Sequence, residues 1–502
     1  LALAIVMAGV VPGSRYFVLN TTGVRAGASL SVLDSTTDLP LKNVSVTIGG
    51  QTVKTNQDGV ARLKSLRLGQ QQLTVRQLGF AKVTRNVTLG LGSNPLGEME
   101  LKAVGTQFVF KLTDYVSGKP VVNAEASSGD ANAQSDEKGE IILTIGSIDS
   151  DKLDVNLTAT GYRSEKVTIA TTLETPTNVV MVTKRKEVFV SKQSGKYDVY
   201  KMDVDGKNKQ LLLAGTGNER SQITLVPHAT DEMVALVSSR DNKRNQDGYL
   251  LDTLSLIDVD DGSVLTLEHS ERIQIVDWVK DRLVYVKVKA GTSAGNSERN
   301  QLMSYDYATT TRLQLAASNS FPDILSAKGT LYYVSANYYA GGQSQFVRVN
   351  PDNTGKQTLL SADVWNILRS GYDELQLTGS ESWYSYRLGD SSAKKMSQAP
   401  ANSNETRFYL DAPDGKRSLW TEQRDGKGVL LTYDASSKKD TTITAQSGLT
   451  YPLRWLDSRT VVYRIATQDE SASYVVSLDG GSPKKITDLT NTTGLGRWYS
   501  GY

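Results

Sequence analysis

One short stretch, KYDVYKMDVDGKNKQLLL from Lys196 to Leu213, limits the fold more than any other part of the chain, because variants of it recur to the far end. Val199, Met202 and Val204 read as a strand, Asp205-Gly206 as a turn, and Leu211 to Leu213 as the returning strand. The later copies are SLIDVDDGSVLTLE, MSYDYATTTRLQLA, VRVNPDNTGKQTLL, YSYRLGDSSAKKMS, LTYDASSKKDTTIT and VSLDGGSPKKITDL. Aligned on the polar residue that closes the first strand, they put Asp203, Asp258, Asp306, Asn350, Arg387, Asp434 and Asp479 in one column. The spacing runs from about 37 to about 55 residues, near the period at which four-stranded propeller blades repeat.

Ahead of six of the hairpins lies another pair of short strands around a polar turn, as in IQIVDWVKDRLVYVKV and YPLRWLDSRTVVYRI. Two pairs make a four-stranded blade. Before the first hairpin Glu187 to Ser191 offers one strand only, while the terminal LGRWYSGY resembles RWLDS of the preceding repeat. Gly494 to Tyr502 is therefore expected to return and complete the first blade, closing a seven-bladed ring that leaves no sheet edge exposed. On these hairpins, on APDG at Ala412 to Gly415, and on Trp278, Trp455 and Trp498, the region from 187 to 502 resembles TolB-like and WD-like β-propellers.

The preceding region carries a different repeat. Leu30 and Val32 alternate, then Val44, Val46 and Ile48; Asn56 to Gly59 turns into Val60, Ala61 and Leu63, and Leu73 to Val75 comes next. A second unit keeps that order, with Asp114 answering Asp34, Gly139 answering Gly59 and Thr160-Gly161-Tyr162 answering Leu78-Gly79-Phe80. An offset of about 80 residues throughout marks a tandem duplication. Period-two alternation broken by glycine-rich turns predicts antiparallel β-sandwiches. On DSTTDLPLKNVSVTIGG, TNQDGVARL and LGF in the first unit, and on DYVSGKPVVNAEA, SDEKGEIIL and TGY in the second, both resemble the carboxypeptidase regulatory-like domain. That is a transthyretin-type or collagen-adhesin-B-type sandwich, and the resemblance implies a stalk or spacer, sometimes an adhesive one. No Lys, Asn and acidic trio stands out for the internal isopeptide bond of collagen-adhesin relatives.

The chain opens on LALAIVMAGVV, an uncharged apolar run shorter than the roughly 20 residues that span a bilayer. It reads as the end of an uncleaved signal anchor flanked at an interface by Arg15, Tyr16 and Phe17, with a signal-peptide remnant or a buried strand as alternatives. The expected organisation is all-β: 1–25 a truncated membrane anchor or signal segment, 26–104 and 105–185 two tandem Ig-like or transthyretin-like sandwiches, and 186–502 a seven-bladed propeller.

Chemistry is constrained by what the chain lacks. With no Cys there is no disulfide, thiolate nucleophile or thiolate metal site, and only His228 and His269 could supply imidazole. Neither has a ligand partner at metal spacing, so no metal and no cofactor are expected. Gly291-Thr292-Ser293-Ala294-Gly295 matches the nucleophile elbow in letters, but no His follows Ser293 to take its proton. The acidic turns at Asp203 to Gly206 and Asp258 to Gly262 lack the twelfth-position Glu of a calcium loop and read as hairpin turns. Fifty-six basic against 54 acidic residues, a net charge of +2, give no electrostatic case for nucleic acid.

Loop length is the most informative irregularity. The loops between the second and third strands of three consecutive blades are expanded: Ser239 to Tyr249, Lys289 to Asn300 and Ala336 to Gln343. Joining equivalent strands, they are expected on one face, side by side, presenting Arg240, Lys243, Arg244, Arg299, Tyr338 and Tyr339 as a binding rim. The resulting expectation is a membrane-anchored, extracytoplasmic protein whose propeller binds a surface protein, peptide or glycan without being an enzyme. The alternatives are a carboxylate-dependent glycosidase or lyase acting in the propeller funnel, and a purely structural envelope protein.

Overall fold

A computed structural model of the chain describes residues 12–172, 175–220, 223–339, 341, 343–400, 409–468 and 470–488. The chain divides into two compact units, Leu1–Lys184 and Arg185–Tyr502.

The first unit holds two β-sandwiches of one topology. In the first, a three-stranded sheet sets Ala26–Asp34 between Val60–Leu66 and Gly92–Leu101, and a four-stranded sheet runs Gln51–Lys54, Ser45–Ile48, Gly69–Arg76, Val83–Leu89. In the second, Thr106–Asp114 lies between Glu140–Ile145 and Thr177–Met181, opposite Ala131–Gln134, Glu125–Ser128, Lys152–Thr158 and Glu165–Ala170. Alternate apolar side chains of the facing sheets make each core: Val32, Val46, Ile48, Leu73 and Val75 in one, Phe110, Leu112, Ile141, Leu143 and Val155 in the other.

The duplication extends to single hydrogen bonds. The Thr55 hydroxyl donates to the Leu41 carbonyl at 2.6 Å and accepts from the Val44 amide at 3.0 Å. Ser135 does the same with Val121 at 2.7 Å and Ala124 at 2.8 Å. Both turn glycines adopt positive φ, 70° at Gly59 and 74° at Gly139, and a Cβ on either would strike a backbone carbonyl, that of Val32 or Leu112.

The N-terminal run Leu1 to Val11 lies outside the described residues. Pro12–Thr21 forms a helix, an element that the sequence pattern does not announce. Tyr16 packs on Gly69 of the first sandwich, and Asn20 exchanges two hydrogen bonds with the Leu68 backbone. Phe17 is exposed. Among the described residues no helix is long and apolar enough to cross a membrane.

The second unit is the propeller, with seven antiparallel sheets in chain order. The first has three strands, Lys186–Ser191, Asp198–Asp203 and Gln210–Leu213; the other six have four each. The C-terminal stretch expected to supply the missing strand lies outside the described residues. The polar column forms cross-strand pairs with the start of the neighbouring strand: Lys186 with Asp203, Arg282 with Asp306 at 3.0 Å, Arg417 with Asp434 at 3.1 Å, and Arg459 with Asp479. Arg387, the outlier of that column, makes the same pair with its polarity reversed, to Asp373 at 3.1 Å. Several column carboxylates also accept from turn amides, as Asp258 does from Asp260 and Asp261. Turn capping and ion pairing thus share one position.

Adjacent blades are tied near the axis by tryptophans. The Trp278 indole donates to the Val226 carbonyl of the preceding blade at 2.9 Å, and the Trp455 indole to Leu410 at 3.2 Å. At the seam between the last and first blades, the buried Glu187 carboxylate lies 3.7 Å from the buried Arg454 guanidinium, which also donates to the Lys186 carbonyl. Burial pushes the Glu187 carboxyl up, against the pull of Arg454 and Arg464.

Candidate functional site

A blade of four antiparallel strands has two ends. Its first and third turns lie at one; its second turn and the link to the next blade lie at the other. The propeller therefore has a short-turn face and a long-loop face, and each carries a distinct feature.

On the short-turn face, the first turns of the second, third, fourth, sixth and seventh blades converge on a cavity of about 430 Å³. That is within the usual range for small-ligand sites, about 300–1,000 Å³. His228, Trp278, Lys280, Lys328, Asp411 and Arg454 are among the side chains that line it. Asp411 is held by Arg369 through two bonds of 2.9 and 2.8 Å, by the Lys328 amide at 2.9 Å and by the Ser418 hydroxyl. Burial alone would raise its carboxyl, but Arg369, Lys328 and Ser418 outweigh that and bring it down to about 2. The Lys328 ammonium sits 3.0 Å from the centre of the Tyr372 ring and 3.5 Å from Asp411, and its burial lowers it to about 8 in spite of Asp411.

His228 is engaged on both ring nitrogens. Its Nδ1 accepts from the Thr230 and Asp231 amides, which leaves Nε2 to donate to the Lys280 carbonyl at 3.1 Å. Burial lowers its pKa and favours this neutral form. The residue is a structural link between turns. His269 instead meets Asp241 at 2.8 Å on the long-loop face.

On that other face, the three expanded loops lie side by side and brace one another. Glu271, in the link between the second and third blades, accepts from Asn245 of the first loop at 2.9 Å and pairs with Arg299 of the second at 3.2 Å. The Tyr339 ring of the third loop stacks over Gly295 of the second, about where a Cβ would meet it at 3.5 Å. Asn319 donates to the carbonyls of Ala294 and Asn296 at 2.6 and 3.1 Å. Ser293 lies exposed within this braced segment.

The six rim residues named from the sequence divide into two sets. Arg240 and Arg299 are half-buried and tied down: Arg240 donates to the Ala214 carbonyl at 3.3 Å, and Arg299 is spent on Glu271 and the Thr292 carbonyl. Lys243 and Arg244 are exposed, the guanidinium of the latter donating to the Gly248 carbonyl of its own loop. Tyr338 and Tyr339 are likewise exposed, at 66% and 69%. Two further aromatics on this face were missed, Tyr249 and Trp365. Tyr249 closes the first loop and could have been singled out; Trp365 lies in a short link between blades that no length anomaly marks. The short-turn cavity was missed entirely.

Among the described residues no cluster of His, Asp and Glu is arranged to hold a metal ion.

Residues 29–102 match the carboxypeptidase regulatory-like domain family. That match covers the first sandwich; the second shares its topology and hydrogen bonds. No curated protein matches the chain. Among solved structures, it is similar to a puromycin-hydrolysing peptidase of Mycobacterium tuberculosis, with 13% identity and a TM-score of 0.38 over 68% of this chain and 52% of that one. An oligogalacturonate lyase of Vibrio parahaemolyticus shows 10% identity and a TM-score of 0.37 over 61% and 85%. TolB of Acinetobacter baumannii shows 15% and 0.30 over 57% and 75%. Such likeness concerns the fold alone. One expectation is corrected nevertheless: the similar structures include peptidases and oligogalacturonate lyases as well as TolB, so the fold gives no ground for holding that the chain is not an enzyme.

Proposed function

We propose that the propeller is a recognition head that takes its ligand on the long-loop face, and that the chain works outside the cytoplasm, anchored through its N-terminal segment. The observation that supports the binding face is the mutual bracing of the three expanded loops through Glu271 and the Tyr339–Gly295 contact. Loops ordered before binding lose little conformational entropy on association, which makes long insertions useful as binding surfaces. The partner class is a surface protein, peptide or glycan. The test screens the chain on glycan and surface-protein arrays beside a variant with all three loops cut to two-residue turns. Binding that vanishes with the loops is the expected result, and binding unchanged overturns the assignment. For anchoring, the chain should sediment with membranes and be open to protease added from outside; recovery in the soluble cytoplasmic fraction would refute it.

The cavity on the opposite face supports a second reading, a small-ligand or substrate site. A carboxylate-dependent glycosidase or lyase acting there would need carboxylates free to act as acid and base. Asp411 is committed to Arg369, and Asp277 accepts from the Ser326 hydroxyl at 2.7 Å, whereas Asp281 has no hydrogen-bond partner among the described residues. Turnover abolished by Asp281→Asn and indifferent to loop shortening would move the function to this face.

A further inference from the structure

The chemical class of the ligand can be read from what the long-loop face exposes, given the reading that this face binds. Among the described residues, every strongly exposed aromatic side chain of the propeller is on it: Tyr249, Tyr338, Tyr339 and Trp365, between 41% and 69% exposed. Trp365 lies between the outer strand Gln357–Ala362 of the fourth blade and the inner strand Asn366–Arg369 of the fifth, a link that emerges beside the loops. The strongly exposed aliphatic side chains of the propeller, Leu211, Val264 and Leu265, lie instead on outer strands. The face thus offers aromatic surface without aliphatic surface, set among Asn, Ser, Gly and Gln.

That combination suits sugar rings. Their C–H bonds carry partial positive charge and pack against the electron-rich face of an aromatic ring, while their hydroxyls exchange hydrogen bonds with amides and hydroxyls.

The charges narrow the class further. Around the three expanded loops the carboxylates are largely answered from within: Glu271 by Arg299 and Asn245, Glu298 by Lys289 at 2.8 Å, Asp241 by His269; farther round the face Glu381 and Asp425 are exposed. Asp247 is exposed. Lys243 has no side-chain partner among the described residues and Arg244 is bonded only within its loop, while the equivalent short loop of the first blade adds exposed Lys192 and Lys196. We propose that the long-loop face binds an anionic polysaccharide, with sugar rings on the exposed aromatics and acidic groups at Lys243 and Arg244.

The test is affinity electrophoresis of the whole chain in native gels containing hyaluronate, dextran sulfate or neutral dextran. Both anionic polymers should retard the chain more than dextran does. Tyr338→Ala with Tyr339→Ala should weaken the retardation at least tenfold, and Lys243→Ser with Arg244→Ser should weaken it severalfold and flatten its salt dependence. Three results would overturn the proposal. Equal retardation by dextran removes the anionic requirement, and retardation by both polyanions that survives loss of the tyrosines shows ion exchange only. Failure of all three polymers removes polysaccharide as the class; loop-dependent binding on the protein array would then keep the face and give it a protein partner.

Discussion

On one face of the propeller Tyr338 and Tyr339 stand two-thirds exposed on loops that brace one another; on the other Arg369 and Arg454 are almost wholly buried beneath turns of a few residues. The first face leaves its tyrosine rings, Lys243 and Arg244 open to solvent. The second uses its charges on neighbouring blades and leaves a cavity in the middle. The proposed binding surface and the ring's cohesion thereby lie at opposite ends of the same strands, so each should be alterable with little effect on the other.

The sharpest way to break that separation is at Asp411. Asp411→Ala leaves the buried Arg369 guanidinium without its carboxylate, and loss of one partner from such a pair costs about 3 kcal/mol or more. Urea unfolding should show that loss while polysaccharide retardation stays unchanged; a parallel loss of binding in the folded variant would mean the faces are coupled.

Acid should act on the same residue. The Asp411 carboxyl is depressed from 3.8 to about 2, so its contribution is present above the unfolded value and lost as pH falls through the folded one. The amount is about 2 kcal/mol, read as the difference in acid unfolding between the chain and Asp411→Asn. Lys328 works in the opposite direction. Lowered from 10.5 to about 8, it leaves the unfolded chain holding more protons between those values, so its effect on stability becomes more favourable as pH rises across that window. Lys328→Met should remove that rise.

A smaller effect is expected at Trp278. Trp278→Phe deprives the Val226 carbonyl of the indole N–H that crosses between blades, for about 1–2 kcal/mol in urea unfolding. Smallest of all should be the stability change in the Tyr338→Ala, Tyr339→Ala variant, within about 0.5 kcal/mol because exposed side chains contribute little to folding. A large loss there would make the tyrosines structural and weaken the case for a binding face.

These differences also explain what could be read from the sequence. The blades were legible because each hairpin repeats a period-two strand and a glycine or Asp turn, and the sandwiches because Asp34 and Asp114, Gly59 and Gly139 hold equivalent posts 80 residues apart. The long loops were legible because an insertion is visible as length. The cavity was not. Its lining comes from turns scattered between Pro227 and Trp455, each of which reads locally as an ordinary polar turn, and only ring closure brings them together. Nor could the column show why Arg387 replaces an acid, since the reason is Asp373, in the turn that leads into the neighbouring strand. The helix Pro12–Thr21 escaped notice because its support comes from Gly69 and Leu68, far along the chain.

In each sandwich the first and last strands are parallel neighbours. Ala26 to Asp34 runs beside Gly92 to Leu101, and Phe110 to Asp114 beside Thr177 to Met181. Tension applied along the chain would pull these partners in opposite directions along their own length, so their hydrogen bonds would be sheared as a group instead of parting one after another. Two such joints in series would resist rapid extension strongly, a mechanical property that equilibrium unfolding in urea would not reveal.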